Sequence, residues 1–187
     1  VLPGIQKELQ GLWDRKVYEP IPCPPGRESE VLPTMRLDHV KSNGVHKSRL
    51  VVLGNKCVEY VHYLAATTSM ASQTAVKMVV ALAAGCRLGL YHLDFKQAFL
   101  NSPVGVEGIL VELPDFPTEL QGKFGPSRGD RCPATGRRMV GKLNKALYGL
   151  RDAPRLWQRH MMKTLNELNE QNWKLKYMPG WPVFQVG

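Results

Sequence analysis

Asp94 closes an apolar run, and the ring of Phe99 follows five residues later, in the segment Leu93-Asp94-Phe95-Lys96-Gln97-Ala98-Phe99-Leu100. A carboxylate can hold Mg²⁺, which prefers oxygen ligands. A ring close behind it can lie beneath a sugar. A polymerase uses such a pair, the carboxylate for metal-assisted nucleotidyl transfer and the ring for the incoming sugar. Upstream, Lys47 and Arg49 stand two apart. On a strand, side chains alternate, so both cations face the same way and can grip phosphates. Taken alone, that pair fits a solvated strand face equally well. One carboxylate cannot hold two Mg²⁺ ions. After Asp152 the chain has no aspartate, and its only later acids are Glu167 and Glu170.

The elements that would carry these residues follow from local pattern. Residues 1–33 form an N-terminal arm expected to be irregular, because Pro20, Pro22, Pro24, Pro25 and Pro33 break long elements. Trp13 and Tyr18 are expected to pack that arm on the body. Residues 34–53 read as a hairpin: Met35–Lys41 and Lys47–Leu53 flank Ser42-Asn43-Gly44, and Asn-Gly is a strong hairpin signal. Residues 69–85 read as a helix, capped by Ser69 or Ser72 and stopped by Gly85. Its apolar stripe is Val76, Val79, Val80, Ala83 and Ala84.

Leu88–Phe95 reads as a strand that delivers Asp94 at its end, and Gly108–Leu113 as a further short strand. Residues 114–138, rich in Pro, Gly and Arg, are expected to form a long loop or insertion, partly disordered. Leu156, Trp157, Met161, Leu165 and Leu168 then follow a helical spacing behind Pro154. The end, residues 169–187, carries Trp173, Tyr177, Trp181 and Phe184, which need something to pack on.

The net charge of +9 is concentrated. From Lys123 to Lys163 there are eleven Lys or Arg and two acids, whereas the rest of the chain balances fourteen against fourteen. Such a block is the electrostatic footprint of a polyanionic partner. Arg155, Arg159 and Lys163, four apart, form one basic stripe on a helix. The apolar run through Val79–Ala84 is far below the ~20 residues that span a bilayer. The first residues do not read as a signal peptide. Cys23, Cys57, Cys86 and Cys132 lack zinc-ligand spacing, so reduced thiols in an intracellular protein, cytoplasmic or nuclear, are expected.

Three segments occur together in order: His46-Lys47-Ser48-Arg49-Leu50-Val51-Val52-Leu53-Gly54, then Leu93–Asn101, then Lys142-Leu143-Asn144-Lys145-Ala146-Leu147-Tyr148-Gly149-Leu150-Arg151-Asp152-Ala153-Pro154-Arg155-Leu156-Trp157. They resemble the reverse transcriptase domain of Ty1/copia-type retrotransposons, from about Trp13 to about Leu168. The resemblance implies an α+β fold, an incomplete right-hand polymerase with fingers and a partial palm over residues 34–168. It implies that Asp94 is the first metal-binding aspartate. It further implies that Lys47 and Arg49 hold the triphosphate, that the backbone of Phe95 and Lys96 contacts it, and that Phe99 lies beneath the sugar. Tyr148 and Gly149 match the turn beside the incoming nucleotide. Lys142, Lys145, Arg151, Arg155, Arg159 and Lys163 are the expected nucleic-acid contacts. Arg36 stands where the family usually has Trp, and Asp152 where Gln is common.

The family pattern continues with a Tyr-x-Asp-Asp hairpin that supplies two more carboxylates, and this chain contains no such segment. It also begins without Met. The expectation is therefore part of an RNA-directed DNA polymerase, inactive alone. Its cofactor would be Mg²⁺, in the complete domain only. Its partners would be an RNA template, an RNA/DNA or DNA duplex, dNTP, and downstream palm, thumb and RNase H portions if encoded. No membrane partner is expected. The alternatives are a non-catalytic nucleic-acid-binding remnant and a pseudogene product without function.

Overall fold

The computed structural model describes residues 2–68, 71–91, 94–168, 170, 175–177 and 184–186. It opens with a helix, α1 (Leu2–Asp14), where an irregular arm was expected. Ile5, Leu9 and Leu12 repeat at helical spacing and are buried. Pro3 lies in the first turn, where its missing N–H costs nothing. The helix closes on a turn in which the Lys16 and Val17 amides donate to the Trp13 and Leu12 carbonyls, with Lys16 at φ 50°. The prolines that argued against order all lie beyond it.

Two of those prolines sit in a strand, β1 (Tyr18–Pro22). It pairs antiparallel with the later strand β5 (Met139–Leu143), Pro20 opposite Gly141 and Pro22 opposite Met139. The sheet order is β1-β5-β4, with β4 at Leu110–Val111, so β1 is an edge strand and its prolines need not donate to a second neighbour. Tyr18 is buried. Trp13 remains 44 % exposed, but its ring lies over Gly125, where an added Cβ would come within 3.2 Å of it.

The expected strand at 108–113 is reduced to a two-residue ladder, β4 (Leu110–Val111), on β5. Its other side is taken by the isolated strand-like residue Leu32, whose amide donates to the Leu110 carbonyl. Residues 115–138 hold one 3₁₀ turn (Thr118–Leu120) and a bridge between Arg131 and Arg138. The segment is nonetheless tied down. Phe116, Leu120 and Phe124 enter the core, and Arg128 donates to the Leu113 and Thr34 carbonyls. Apolar plugs, rather than regular structure, hold it.

The hairpin consists of β2 (Thr34–Val40) and β3 (His46–Val52), paired from Thr34↔Val52 to Val40↔His46. Gly44 takes φ +77° in its turn, and the Asn43 side chain accepts from the Val45 amide. Strand alternation sends Ser48, Leu50 and Val52 inward over α1 and leaves Lys47 and Arg49 outward.

The next stretch departs most from expectation. Helix α2 (Gln73–Gly85) forms, and the Ser72 hydroxyl accepts from the Ala75 amide as its cap. Its apolar stripe is not a core: Ala83 is buried, Val79 half-buried, and Val76, Val80 and Ala84 are exposed. No strand forms at Leu88–Tyr91 or at Asp94–Phe95. His92 and Leu93, also part of that expectation, lie outside the described residues, as do Ser69 and Met70. An extended apolar segment becomes a strand only when neighbours pair its backbone, and the described residues bring none to it.

Helix α3 (Ala153–Leu168) matches the expected spacing and buries Ala153 and Leu156. Beyond it, β6 (Leu175–Tyr177) pairs antiparallel with β7 (Phe184–Val186). The aromatic packing expected of Trp173 and Trp181 lies outside the described residues. The four cysteines are free thiols, two of them buried.

Candidate nucleotide site

Tyr148 and Gly149 dock onto the outer edge of β3. The Val52 amide donates to the Tyr148 carbonyl at 2.7 Å, and Val51 and Tyr148 form a parallel bridge. Gly149 takes φ +88°, and a Cβ there would overlap the Val52 carbonyl. Only glycine combines that conformation with that approach.

The docking stacks three sequence-distant side chains. The Arg49 guanidinium lies 5.3 Å from the centre of the Tyr148 ring. Phe99 meets the same ring edge-on, centroids 5.7 Å apart at 60°. Arg49 therefore reaches Phe99 through Tyr148. Burial raises the Tyr148 hydroxyl above its usual pKa, Glu8 adds to the rise, and Arg49 and Arg15 oppose it.

Phe99 belongs to a short 3₁₀ turn, Ala98–Asn101. It is entered through Gln97 in the left-handed region, at φ 50°. Phe95, just before it, packs edge-on against Trp157 of α3 at 5.1 Å. Asp94 and Lys96 are exposed. Asp94 also acts on Lys47. The Lys47 ammonium is pushed below its usual pKa by burial and by Arg49 and Lys41, while Glu8 and Asp94 pull it back up. The structure thus gathers Arg49, Phe99, Tyr148 and Gly149 at one site, with Lys47 two residues from Arg49 on the same face of β3.

The residues expected to touch nucleic acid divide. Lys142, Arg159 and Lys163 are exposed, and Lys163 meets Glu167 at 3.8 Å. Lys145 and Arg155 are half-buried. Arg151 is engaged within the fold: it donates to the Gly54 carbonyl at 3.0 Å and lies over the Tyr63 ring. Elsewhere in the basic block, Arg128 and Arg138 both pair with Glu112. Part of that block's charge therefore serves the fold.

A reverse transcriptase family model, described as RNA-dependent DNA polymerase, matches residues 29–177. The chain belongs to the reverse transcriptase family of Ty1/copia-type retrotransposons. It is similar to the retrovirus-related Pol polyprotein from transposon TNT 1-94 of Nicotiana tabacum, 29% identical over 162 residues. That alignment takes in 84% of this chain but only 11% of the tobacco polyprotein, so the chain spans a small part of that relative's length.

Reverse transcriptases generally use divalent metal ions. Among the described residues of this one, no group of three or more His, Cys, Asp or Glu could hold a metal. Asp94 by itself does not fit a two-ion site, and no metal-assisted step is assigned to these residues. Also among the described residues, no helix is long and apolar enough to cross a membrane.

Sequence reasoning missed Glu8, Gln97 and Asn101. Glu8 was hidden by the proline-rich appearance of the arm. Gln97 and Asn101 lay inside a recognised segment, but nothing in their types announced a structural role.

Proposed function

We propose that this reverse transcriptase chain supplies the nucleotide-holding face of an RNA-directed DNA polymerase, with fingers in residues 34–53 and part of a palm around Asp94. The observation that carries this is the Arg49–Tyr148–Phe99 stack, on the strand that also bears Lys47. In this reading Lys47 and Arg49 take the phosphates, with Arg suited to a bidentate grip. The Phe95–Lys96 backbone borders the triphosphate. Phe99, held edge-on by Tyr148, disfavours a 2′-hydroxyl. Mg²⁺ chemistry would need further carboxylates, which this sequence does not offer as Tyr-x-Asp-Asp.

Equilibrium binding of dATP to the purified chain tests the reading. Lys47→Ala and Arg49→Ala should each weaken binding about tenfold, the scale of one lost charged hydrogen bond. Binding indifferent to both would sink it. Templated primer extension in Mg²⁺ is expected to be absent, and extension by the chain alone would overturn that part.

A second reading, nucleic-acid binding without catalysis, draws on the exposed Lys142, Arg159 and Lys163. It predicts salt-steep binding to an RNA–DNA hybrid, with a log–log slope that shrinks when Arg155 and Arg159 become Ala.

A further inference from the structure

Helix α1 lies entirely before the family-matched region, which begins at residue 29. One of its faces carries Gly4, Glu8 and Gly11, and Arg15 in the turn that follows the helix extends their spacing. Glu8 is a charged side chain only 8 % exposed. Its Oε1 accepts from the Leu50 backbone amide at 3.2 Å, and its Oε2 accepts from the Gln97 side-chain amide at 3.2 Å. Leu50 lies one residue beyond Arg49 on β3, and Gln97 lies two before Phe99. One carboxylate thus joins the strand that bears the cations to the turn that bears the ring.

Its neighbours in the row are shaped for the same contact. At Gly11 an added Cβ would come within 2.5 Å of the Gln97 amide nitrogen, so the Gln97 side chain lies flat on the helix only over glycine. At Gly4 a Cβ would come within 2.7 Å of the His46 carbonyl, at the start of β3. Arg15 donates to Asn101 Oδ1 at 3.3 Å, and Asn101 Nδ2 donates in turn to the Gln97 and Ala98 carbonyls. The outer edge of β3 shows the same economy. Its Leu50 amide donates to Glu8 and its Val52 amide to Tyr148, so two of its donors are met by the site's own elements.

We infer that Glu8 is a positioning residue of the nucleotide site, holding β3 and the Gln97–Asn101 turn at a fixed separation so that Lys47 and Arg49 meet the phosphates while Phe99 meets the sugar. The role rests on the nucleotide reading above. Glu8 touches neither phosphate nor sugar in it; it acts through Leu50 and Gln97. Burial raises its pKa, against the pull of the Leu50 and Gln97 hydrogen bonds and of Arg49 and Lys47. That is the signature of a carboxylate kept inside for its contacts.

The test compares the whole chain with Glu8→Ala, Glu8→Gln and Lys47→Ala, reading affinity for dATP and for ATP together with backbone hydrogen exchange. Glu8→Ala should weaken dATP binding about tenfold, equivalent to ~1.4 kcal/mol, and reduce the preference for dATP over ATP. Exchange should quicken at both Leu50–Val52 and Ala98–Asn101. Glu8→Gln keeps an acceptor for Leu50 and should recover most of the affinity. If Lys47→Ala weakens dATP binding but Glu8→Ala leaves affinity and preference intact, the positioning role is wrong and the nucleotide reading stands. Equal loss of both nucleotides with an unchanged preference would reduce Glu8 to a general stabiliser, again overturning it. If the unaltered chain shows no Lys47-dependent dATP binding, the nucleotide reading fails and takes the positioning role with it.

Discussion

Two stretches of this chain are similarly apolar in sequence and opposite in structure. Around β1, β5 and the hairpin, Val17, Leu32, Val52, Leu100, Val140 and Leu147 are all but sealed from water. Between Val58 and Phe95 most of the large apolar side chains among the described residues lie open, Tyr63 being buried, with Leu82 63 % exposed, Leu88 62 % and Tyr91 88 %. The difference is partnership. The first stretch interleaves α1, the three-stranded sheet, the hairpin and the 115–138 segment, so apolar faces meet one another. The second offers a helix and an extended run whose faces meet little else among the described residues. Asp94 stands at the seam, with the packed Phe99–Tyr148 contact on one side and the open run on the other.

The largest expected contrast is between two glycines. Gly149→Ala must adopt φ +88° and overlap the Val52 carbonyl, and should cost at least about 3 kcal/mol in denaturant unfolding. Gly85→Ala, at the end of α2 with nothing within 4 Å of an added Cβ, should cost nothing or stabilise by up to ~1 kcal/mol. Similar costs at the two positions would break the comparison.

Next come two leucines. Leu147→Ala removes a fully buried side chain and should destabilise by about 2–5 kcal/mol. Leu82→Ala should stay within about 0.5 kcal/mol, as surface changes do. A large loss at Leu82 would show that α2 has a packing partner in solution.

A smaller effect sharpens the packed side. Asp152 is 2 % exposed, and its Oδ1 has no hydrogen-bond partner. Burial raises its pKa above 3.8, opposed by its own backbone amide and by Arg155. A carboxyl whose folded pKa is raised contributes full stability below its unfolded pKa and loses it as pH climbs through the folded value. Asp152→Asn should therefore match the parent near pH 3 and exceed it by ~1 kcal/mol at pH 7, as urea unfolding across that range would show. Equal stability at both pH values would mean that the carboxylate is solvated in solution.

The hairpin, α3 and the Ser72 cap were legible because each rests on local rules: Asn-Gly at a turn, alternation along a strand, a hydroxyl before a helix. Lys47, Arg49, Asp94, Phe99, Tyr148 and Gly149 were legible as three ordered segments. Helix α1 was lost because prolines at 20–33 coloured the reading of residues 2–14, although Ile5, Leu9 and Leu12 already carried the helical spacing. The strand at 88–95 failed for the opposite reason, since its apolar content described a capacity and not a partner.

The sequence by itself determined the family, the conformation of the hairpin and the charged and aromatic residue types of the candidate site, because these depend on neighbours along the chain and on side-chain chemistry. Tertiary structure alone decided that Arg49 and Phe99 would meet through Tyr148, that Glu8 would join β3 to the Gln97 turn, and that α2 would lie open. Each of those outcomes depends on contacts between residues dozens of positions apart, and on whether an apolar surface finds another to cover it.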